Sequence, residues 1–225
     1  MEGRTAPLTI SNGPPALSFG SAVFVSLGGG RAIVTQQAES PETVKRRVPS
    51  DRRTKDKCAI VGFTDHRVQA FALPRDEWEI WGINELHRVP GCEPDKFDRW
   101  FEVHQRKDLD ADGPHIAALG KMDIPVYMQA HYPDIAPSVP FPREAIIAHF
   151  GVDYFTSSIA WEFAYAIMLG FRAIHVYGVD MAQDEEYATQ RPCCEYWMGV
   201  ARGMGIEVYV PKTSDLCKTV GQYGF

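Results

Sequence analysis

Polar side chains that could take part in chemistry follow four apolar stretches of the sequence. Each stretch is typical of a buried strand, and the polar group comes where the strand should end. Parallel sheets bind ligands beyond the carboxyl ends of their strands, so we expect the four groups to surround one site. In chain order they are Thr64 and Asp65, which follow Gly62; then Asn84 and Glu85; then Glu102 and His104; then Asp180, which follows Gly178.

The third group contains a candidate general base. Glu102 and His104 are separated by one position, so in a strand their side chains point to the same face. A carboxylate next to a histidine can orient the imidazole for proton transfer, but a structural ion pair has the same spacing. Both interpretations stay open. We take His104 as the first candidate for a catalytic base and Asp180 as the second.

The remaining strand-end groups are suited to a nucleotide. Gly62, with Thr64 or Asp65, could bring backbone N–H groups close to a phosphate or ribose, although a strand-end glycine and a helix cap have the same pattern. Asn84 offers a donor and an acceptor to a base or ribose, or closes the strand as an Asx turn. The glycine spacing is not that of a dinucleotide-binding fingerprint, and there is no P-loop.

Two predicted helix starts add further candidates, because free N–H groups at a helix N-terminus bind phosphate. One is a run of hydroxyl residues before a nearly all-apolar stretch that stops at Gly170. The other comes just before the last long helix, where Arg191 is suited to clamp a phosphate. The nucleotide-binding candidates at these two starts are Thr156, Ser157, Ser158, Tyr187 and Arg191.

The cysteines and histidines do not have the spacing of a metal site. The five cysteines include no C-x-x-C pair and no H-x-x-x-H pattern occurs, so neither a zinc site nor a disulfide framework is expected. Mg²⁺ held between Asp180 and a substrate phosphate is compatible with the sequence. Cys193 and Cys194 are expected to pack rather than react. Glu162, a lone charge in an apolar helix, is expected to pair, to reach the cavity or, as the commonest outcome, to face solvent.

The elements that must position these residues alternate between strand and helix patterns. This alternation predicts an α/β fold, a Rossmann-like and mostly parallel sheet of about six strands with helices on both faces. The predicted strands are residues 58–63, 78–84, 97–104, 124–129, 172–179 and 206–210. The predicted helices are a short one before Pro74, residues 114–120, 143–150, the run before Gly170, and 185–204 with a break near Pro192.

We predict a Rossmann-like domain over residues 58–225 and an N-terminal extension over residues 1–57. The extension contains a hairpin pattern at residues 18–36 and a basic linker at 45–57, and it could contact a second copy or a larger assembly. The net charge of −6 argues against general nucleic-acid binding. No apolar run is long enough to span a membrane and no signal-peptide pattern occurs, so a cytoplasmic protein is expected.

The segment from Thr156 to Met181 resembles the nucleotide-sugar-binding core of bacterial sialyltransferases that have one Rossmann-like domain. That family has a Thr/Ser-Ser-Gly helix start, an A-I-A-L-G-Y turn and a G-I-D-F strand end, where this sequence has T-S-S, A-I-M-L-G-F and G-V-D-M. The archaeal-type 6-hydroxymethylpterin diphosphokinase-like proteins share the scaffold. The pattern G-V-D-M…E-Y-A-x-Q-R-P-x-C-E-Y is similar to that of uncharacterised, often phage-borne proteins.

The resemblance implies roles for individual positions. The hydroxyls at the helix start would contact the nucleotide, Asn84 would meet a cytidine-type nucleoside or its ribose, and Asp180 would lie beside it. Tyr187 falls near a tyrosine pair that binds the donor phosphate, but Ala182 occupies the second position. Ile159 replaces the family's glycine, and the insertion that carries its catalytic histidine is absent.

These observations favour a nucleotide-dependent transferase, most simply a glycosyltransferase-like enzyme with a nucleotide-sugar donor. Two alternatives stay open. One is a diphosphokinase-like phosphoryl transfer, which would require Mg²⁺. The other is a binding protein that holds a nucleotide or metabolite without turnover.

Overall fold

The computed structural model describes residues 52–183, 186–219 and 221–224. The predicted hairpin and most of the predicted N-terminal extension lie outside these residues. Seven parallel strands form one sheet in the order β5-β4-β3-β2-β1-β6-β7. The strands are β1 (Lys57–Val61), β2 (Trp78–Ile83), β3 (Arg99–Phe101), β4 (Val126–Met128), β5 (Ser138–Pro140), β6 (Ala173–Tyr177) and β7 (Glu207–Tyr209).

Helices connect the strands. The α-helices are α1 (Arg106–Leu109), α2 (Gly113–Leu119), α3 (Arg143–Phe150), α4 (Ser158–Leu169) and α5 (Arg191–Gly203). Tighter 3₁₀ turns cover Asp65–Ala72, Asn84–Arg88 and Pro94–Lys96, and a π-helical turn covers Glu186–Gln190. The predicted α/β, Rossmann-like class is confirmed. The strand number differs, since β5 is a three-residue edge strand that begins within a proline-rich stretch.

The strand order reverses direction at β1. The chain adds β2, β3, β4 and β5 on one side of β1, and then returns to place β6 on the other side. Open α/β sheets leave a crevice at such a reversal, beyond the carboxyl ends of the strands on either side of it, here β1 and β6. The α4 helix is capped at both ends: the Ser157 hydroxyl accepts the Ala160 N–H, and Gly170 closes it with a φ of +79°.

The centre of the sheet is buried on both faces and contains an ion pair. All six β2 residues are buried, including Glu79, whose carboxylate lies 2.7 Å from the Nε of the equally buried Arg99 on β3. The segment before β1 completes the hydrogen bonding of this pair. The Thr54 backbone and hydroxyl both donate to Glu79, and the Arg52 carbonyl accepts from Arg99. The pair is thus fully satisfied, which a buried ion pair requires.

The side chain of Glu162 on α4 does not lie where the sequence predicted. Its side chain is completely buried, and neither carboxyl oxygen has a hydrogen-bond partner among the described residues. The prediction that it faces solvent was wrong, because α4 is covered by α5 on one side and by α3 and β1 elsewhere. Burial raises the pKa of Glu162 well above its ordinary value, so the group is held as a neutral acid. The adjacent Cys193 and Cys194 are also buried.

Candidate functional site

A cavity of about 840 Å³ opens at the crevice between β1 and β6. Its walls come from the carboxyl ends of β1, β2, β3 and β6 and from the N-terminus of α4. This is the position at which open α/β sheets bind ligands. The sequence-predicted residues that line it are Gly62, Thr64, Asn84, His104, Thr156, Ser157, Ser158, Gly178 and Asp180.

Two other predicted residues, Asp65 and Arg191, are not among the described residues that line the cavity. The Asp65 side chain is fully exposed and pairs with Arg67 at 3.2 Å. The Arg191 guanidinium lies 2.8 Å from Glu195, one helical turn further along α5. The Tyr187 side chain lies outside the described residues.

Two glycines bring the ends of β1 and β6 into contact. The Gly62 N–H donates to the Tyr177 carbonyl, and the Thr64 N–H donates to the Gly178 carbonyl. A Cβ atom on Gly178 would lie 2.5 Å from the Gly62 carbonyl oxygen, and the φ of Gly178 is +72°. Both facts require glycine, so the two loops approach each other at a distance that no other residue allows.

His66, which the sequence analysis did not single out, connects these two loops. Its Nδ1 accepts the Gly178 backbone N–H at 2.8 Å. A backbone N–H can only donate, so Nδ1 carries no proton and the neutral ring donates from Nε2. That nitrogen lies 2.9 Å from the Asp180 Oδ1 and 3.1 Å from the Thr64 hydroxyl.

Asp180 is therefore held in place as a carboxylate. Partial burial opposes its ionisation, but the hydrogen bonds from His66 and Thr64 outweigh it and lower the pKa of Asp180. The result is a fixed acceptor at the cavity wall that is a weaker base than an ordinary aspartate. Such a group is suited to hold a ligand hydroxyl.

Asn84 presents an unsatisfied acceptor at the same cavity. It has a φ of +46°, uncommon for a residue with a side chain. Its backbone carbonyl accepts the Trp100 indole N–H at 3.0 Å, but its side-chain Oδ1 is buried and has no partner among the described residues. A buried acceptor without a partner costs free energy, unless a ligand supplies the missing donor.

The pair of Glu102 and His104 that the sequence indicates is hydrogen-bonded. His104 Nδ1 lies 2.7 Å from a Glu102 oxygen, which also accepts the His104 backbone N–H. Burial disfavours the charge on Glu102, but its two histidine partners lower the pKa to about 2. An ionised carboxylate only accepts, so Nδ1 donates and Nε2 is the nitrogen left for a ligand. The hydrogen bond to Glu102 raises the pKa of His104.

Two further histidines stabilise Glu102 from behind. The buried His115 contacts the second Glu102 oxygen through Nε2 at 2.8 Å, and its Nδ1 lies 2.8 Å from His87 Nε2. Ligand atoms of Glu85, Glu102 and His115 lie within 4.8 Å of one another, an arrangement that metal ions also favour. Both ring nitrogens of His115 are already hydrogen-bonded, so we interpret Glu102, His115 and His87 as a hydrogen-bonded chain that holds His104 in place.

Solved structures that the chain resembles in its arrangement of strands and helices include sialyltransferases. One is the sialyltransferase CstII from Campylobacter jejuni in complex with cytidine-5'-monophosphate, at 15% identity and a TM-score of 0.45, covering 73% of this chain and 80% of that one. Another is an alpha-2,3-sialyltransferase from Campylobacter jejuni in apo form, at 13% identity and a TM-score of 0.42, covering 77% and 79%. The sequence matches no model of a known protein family and no curated protein.

The charge of the cavity wall is acidic. The carboxylates of Asp180, Glu186 and Asp215 line it, and His104 is the one basic side chain among the described lining residues. Asp215 is paired with Lys218, which is not one of those lining residues. Positive polarity comes instead from the N-terminus of α4. Ser157 caps that helix, and the Thr156 hydroxyl donates to the Thr189 carbonyl, which ties the helix start to the π-helical turn.

None of the described helices is both long enough and apolar enough to cross a membrane.

Proposed function

We propose that this chain is a glycosyltransferase-like enzyme that binds a nucleotide-sugar donor in the cavity between β1 and β6. The proposal is carried by Asn84, which lines the cavity at the strand-order reversal and whose buried Oδ1 has no hydrogen-bond partner among the described residues. A nucleobase amino group or a ribose hydroxyl supplies the donor that this atom lacks. Asp180 accepts from a second ligand hydroxyl.

The donor carries one phosphate. The N-terminus of α4 offers backbone N–H groups to an anion, but no Lys or Arg is among the described residues lining the cavity. The carboxylates of Asp180 and Glu186 line the same space, beside that of Asp215, which Lys218 pairs, so each additional phosphate charge raises the electrostatic cost of binding. A nucleoside monophosphate sugar fits this balance better than a diphosphate sugar or a triphosphate.

His104 takes the proton of the acceptor hydroxyl. Its Nε2 is available at the cavity, and Glu102 fixes the ring and its tautomer from the other side. Asp180 suits this role less well because its pKa is lowered. The presence of a supported base favours an enzyme over a binding protein without turnover.

Calorimetric titration with matched nucleotides tests the donor class. We expect CMP or UMP to bind more tightly than CDP or UDP, and ATP with Mg²⁺ to bind weakly. Tighter binding of the diphosphates would overturn the single-phosphate donor, and binding of ATP with metal-dependent turnover would favour the diphosphokinase alternative. Absence of binding by every nucleotide at millimolar concentration would overturn the function itself.

Substitution at the cavity wall tests the site. In the variant Asn84→Gly, glycine tolerates the positive φ of this position, so the backbone can stay as it is. The variant lacks the side-chain Oδ1 that accepts from the ligand, so nucleotide affinity should fall about tenfold. Asp180→Asn should weaken binding as well. Asp65→Asn is the matched control, because Asp65 is exposed and does not line the cavity. Equal loss of nucleotide affinity in Asp180→Asn and Asp65→Asn would contradict the placement of Asp180 in the nucleotide site.

A further inference from the structure

A second cavity, of about 490 Å³, continues the crevice along the same edge of the sheet. It lies beyond the carboxyl ends of β3, β4 and β5, whereas the first cavity lies beyond those of β6, β1, β2 and β3. The residues that line it are Val103, Gln105, Gln129, Phe141, Arg143, Glu144 and Trp161.

The two cavities meet beside His104. Val103 and Trp161 line both of them, so they form a shared wall. His104 lines the first cavity, while its two chain neighbours, Val103 and Gln105, line the second. A molecule in the second cavity is therefore adjacent to the histidine that faces the donor.

The lining of the second cavity combines aromatic rings with amide groups. Trp161 is rigidly held, since Phe155 stacks on it at 3.5 Å and Phe141 meets it edge-on at 5.6 Å. Such rings pack against the apolar C–H faces of sugars, and the amide of Gln105 can donate to and accept from hydroxyls. The Gln129 amide donates one N–H to the Val103 carbonyl at 3.1 Å, which leaves its oxygen and its second N–H for a ligand. This is a lining suited to a polyhydroxylated ligand.

Charge decides which class of hydroxylated ligand fits. Arg143 is the one basic residue of the lining, and it pairs with Glu144 of the same lining at 3.1 Å. The nearby Arg106 is held by Asp110 and Asp134. The pair Arg143–Glu144 makes the cavity close to neutral, so no unpaired cation is offered to a carboxylate or phosphate.

We propose that the second cavity is the acceptor subsite and that it takes a neutral saccharide. This inference rests on the proposed function and assigns the acceptor class to the site beside His104. In the transfer step a bond forms between an acceptor hydroxyl oxygen and the anomeric carbon of the donor sugar. The bond from that carbon to the phosphate oxygen breaks, the electron pair leaves with the phosphate, and the hydroxyl proton moves to His104 Nε2.

Saturation-transfer NMR on the full chain tests the subsite without requiring turnover. The probes are the methyl glycosides of galactose, glucose and N-acetylglucosamine, with methyl glucuronide as the anionic comparison, each measured with and without CMP. We expect at least one neutral glycoside to bind at millimolar concentration. The double variant Gln105→Ala, Gln129→Ala should weaken that binding at least about fivefold, which corresponds to the loss of one or two hydrogen bonds.

Gln222→Ala provides the matched control, since Gln222 is exposed and lines neither cavity. The double variant should keep the CMP affinity of the unmodified chain, which also shows that it is folded. Absence of binding by all neutral glycosides, preference for the glucuronide, or unchanged binding in the double variant would each overturn the subsite. Failure of every nucleotide to bind, with glycoside binding retained, would overturn the donor function and leave the saccharide site standing.

Discussion

At the scale of single residues, two histidines have opposite tasks in the candidate site. His66 uses Nδ1 for the Gly178 N–H and Nε2 for Asp180, so both nitrogens are occupied by the protein. His104 uses Nδ1 for Glu102 and leaves Nε2 for a ligand. Only the second arrangement provides a lone pair for proton transfer, which is why we assign the base to His104 and a positioning task to His66.

Replacement of His104 separates binding from chemistry. The variant His104→Gln should retain nucleotide affinity but lose a factor of about 10² to 10⁴ in the transfer rate, the usual contribution of a general base. His149→Gln is the control, because His149 is exposed on α3 and does not line the cavity. A transfer rate within twofold of the unmodified chain, measured with a donor that binds, would remove His104 from the mechanism.

The sequence predicted the strand-end residues because apolar runs mark where strands stop. Asn84, His104 and Asp180 each follow such a run, and the structure brings all three to one cavity. His66 gave no comparable signal, since it lies in the polar first turn of the 3₁₀ segment Asp65–Ala72 and its partners are 112 and 114 positions away along the chain. Sequence periodicity does not tell which of Asp65 and His66 turns inward.

At the scale of elements, the close contact between the loops after β1 and β6 depends on glycine. Gly178→Ala would place a methyl group within 2.5 Å of the Gly62 carbonyl oxygen and would strain a φ of +72°. We expect this variant to be destabilised by more than about 1 kcal/mol and to bind nucleotide poorly.

Gly199 offers a contrasting position for the same substitution. It lies within α5, and a Cβ atom there would meet nothing within 4 Å. Gly199→Ala should therefore be neutral or stabilising, by up to about 1 kcal/mol. Urea unfolding of both variants measures the difference, and equal stability of the two would contradict the proposed role of the glycine contact.

The α4 helix makes stability depend on pH through Glu162. Its pKa is raised in the folded chain, so the folded state retains a proton that the unfolded state releases above about pH 4. The stability contribution of this group is therefore present at low pH and is lost as pH rises toward the folded-state pKa. The loss reaches at most about 1.4 kcal/mol per pH unit.

Glu162→Gln removes that titration. The variant should be more stable than the unmodified chain at pH 8, and the difference should shrink toward pH 4. Taking the difference between the two chains cancels the titration of the histidines, which both share. Urea unfolding at several pH values measures it, and a difference that does not vary with pH would show that Glu162 is not held as a buried neutral acid.

The short edge strand β5 could not be predicted from the sequence pattern. Its three residues pair with β4 alone and end at Pro140, where a central strand could not place a proline. Three residues are too few to show alternation, and the surrounding prolines are typical of a loop. Longer runs such as β1, β2 and β6 were predicted because their burial on both faces requires continuous apolar sequence.

At the scale of the whole molecule, alternating strands and helices predicted the α/β class but not the strand order. The order is fixed by which strands pack together, and the reversal at β1 is what creates the cavity. The segment before β1 also contributes to the organisation of the whole molecule, through contacts with the centre of the sheet. Arg52 and Thr54 hydrogen-bond to the buried pair Arg99–Glu79 in the centre of the sheet.

Truncation tests whether the folded domain needs that segment. A chain that begins at residue 57 keeps β1 but removes the partners of Arg99 and Glu79, so it should be about 1–3 kcal/mol less stable than a chain that begins at residue 52. Thr54→Ala should show part of the loss, and Thr213→Ala, at an exposed turn, should show none. Equal melting temperatures for the two truncated chains would place the domain boundary at residue 57 or later.

The acidic wall of the first cavity has a consequence for how salt acts on the protein. Most phosphate sites rely on Lys or Arg, and dissolved ions weaken them by screening the attraction. Here the carboxylates of Asp180 and Glu186 repel an anionic ligand, while that of Asp215 is paired with Lys218, and the same screening relieves the repulsion. Nucleotide affinity should therefore hold steady or rise between 20 and about 300 mM sodium chloride. A steep fall across that range, measured by titration calorimetry, would indicate a cation in the site.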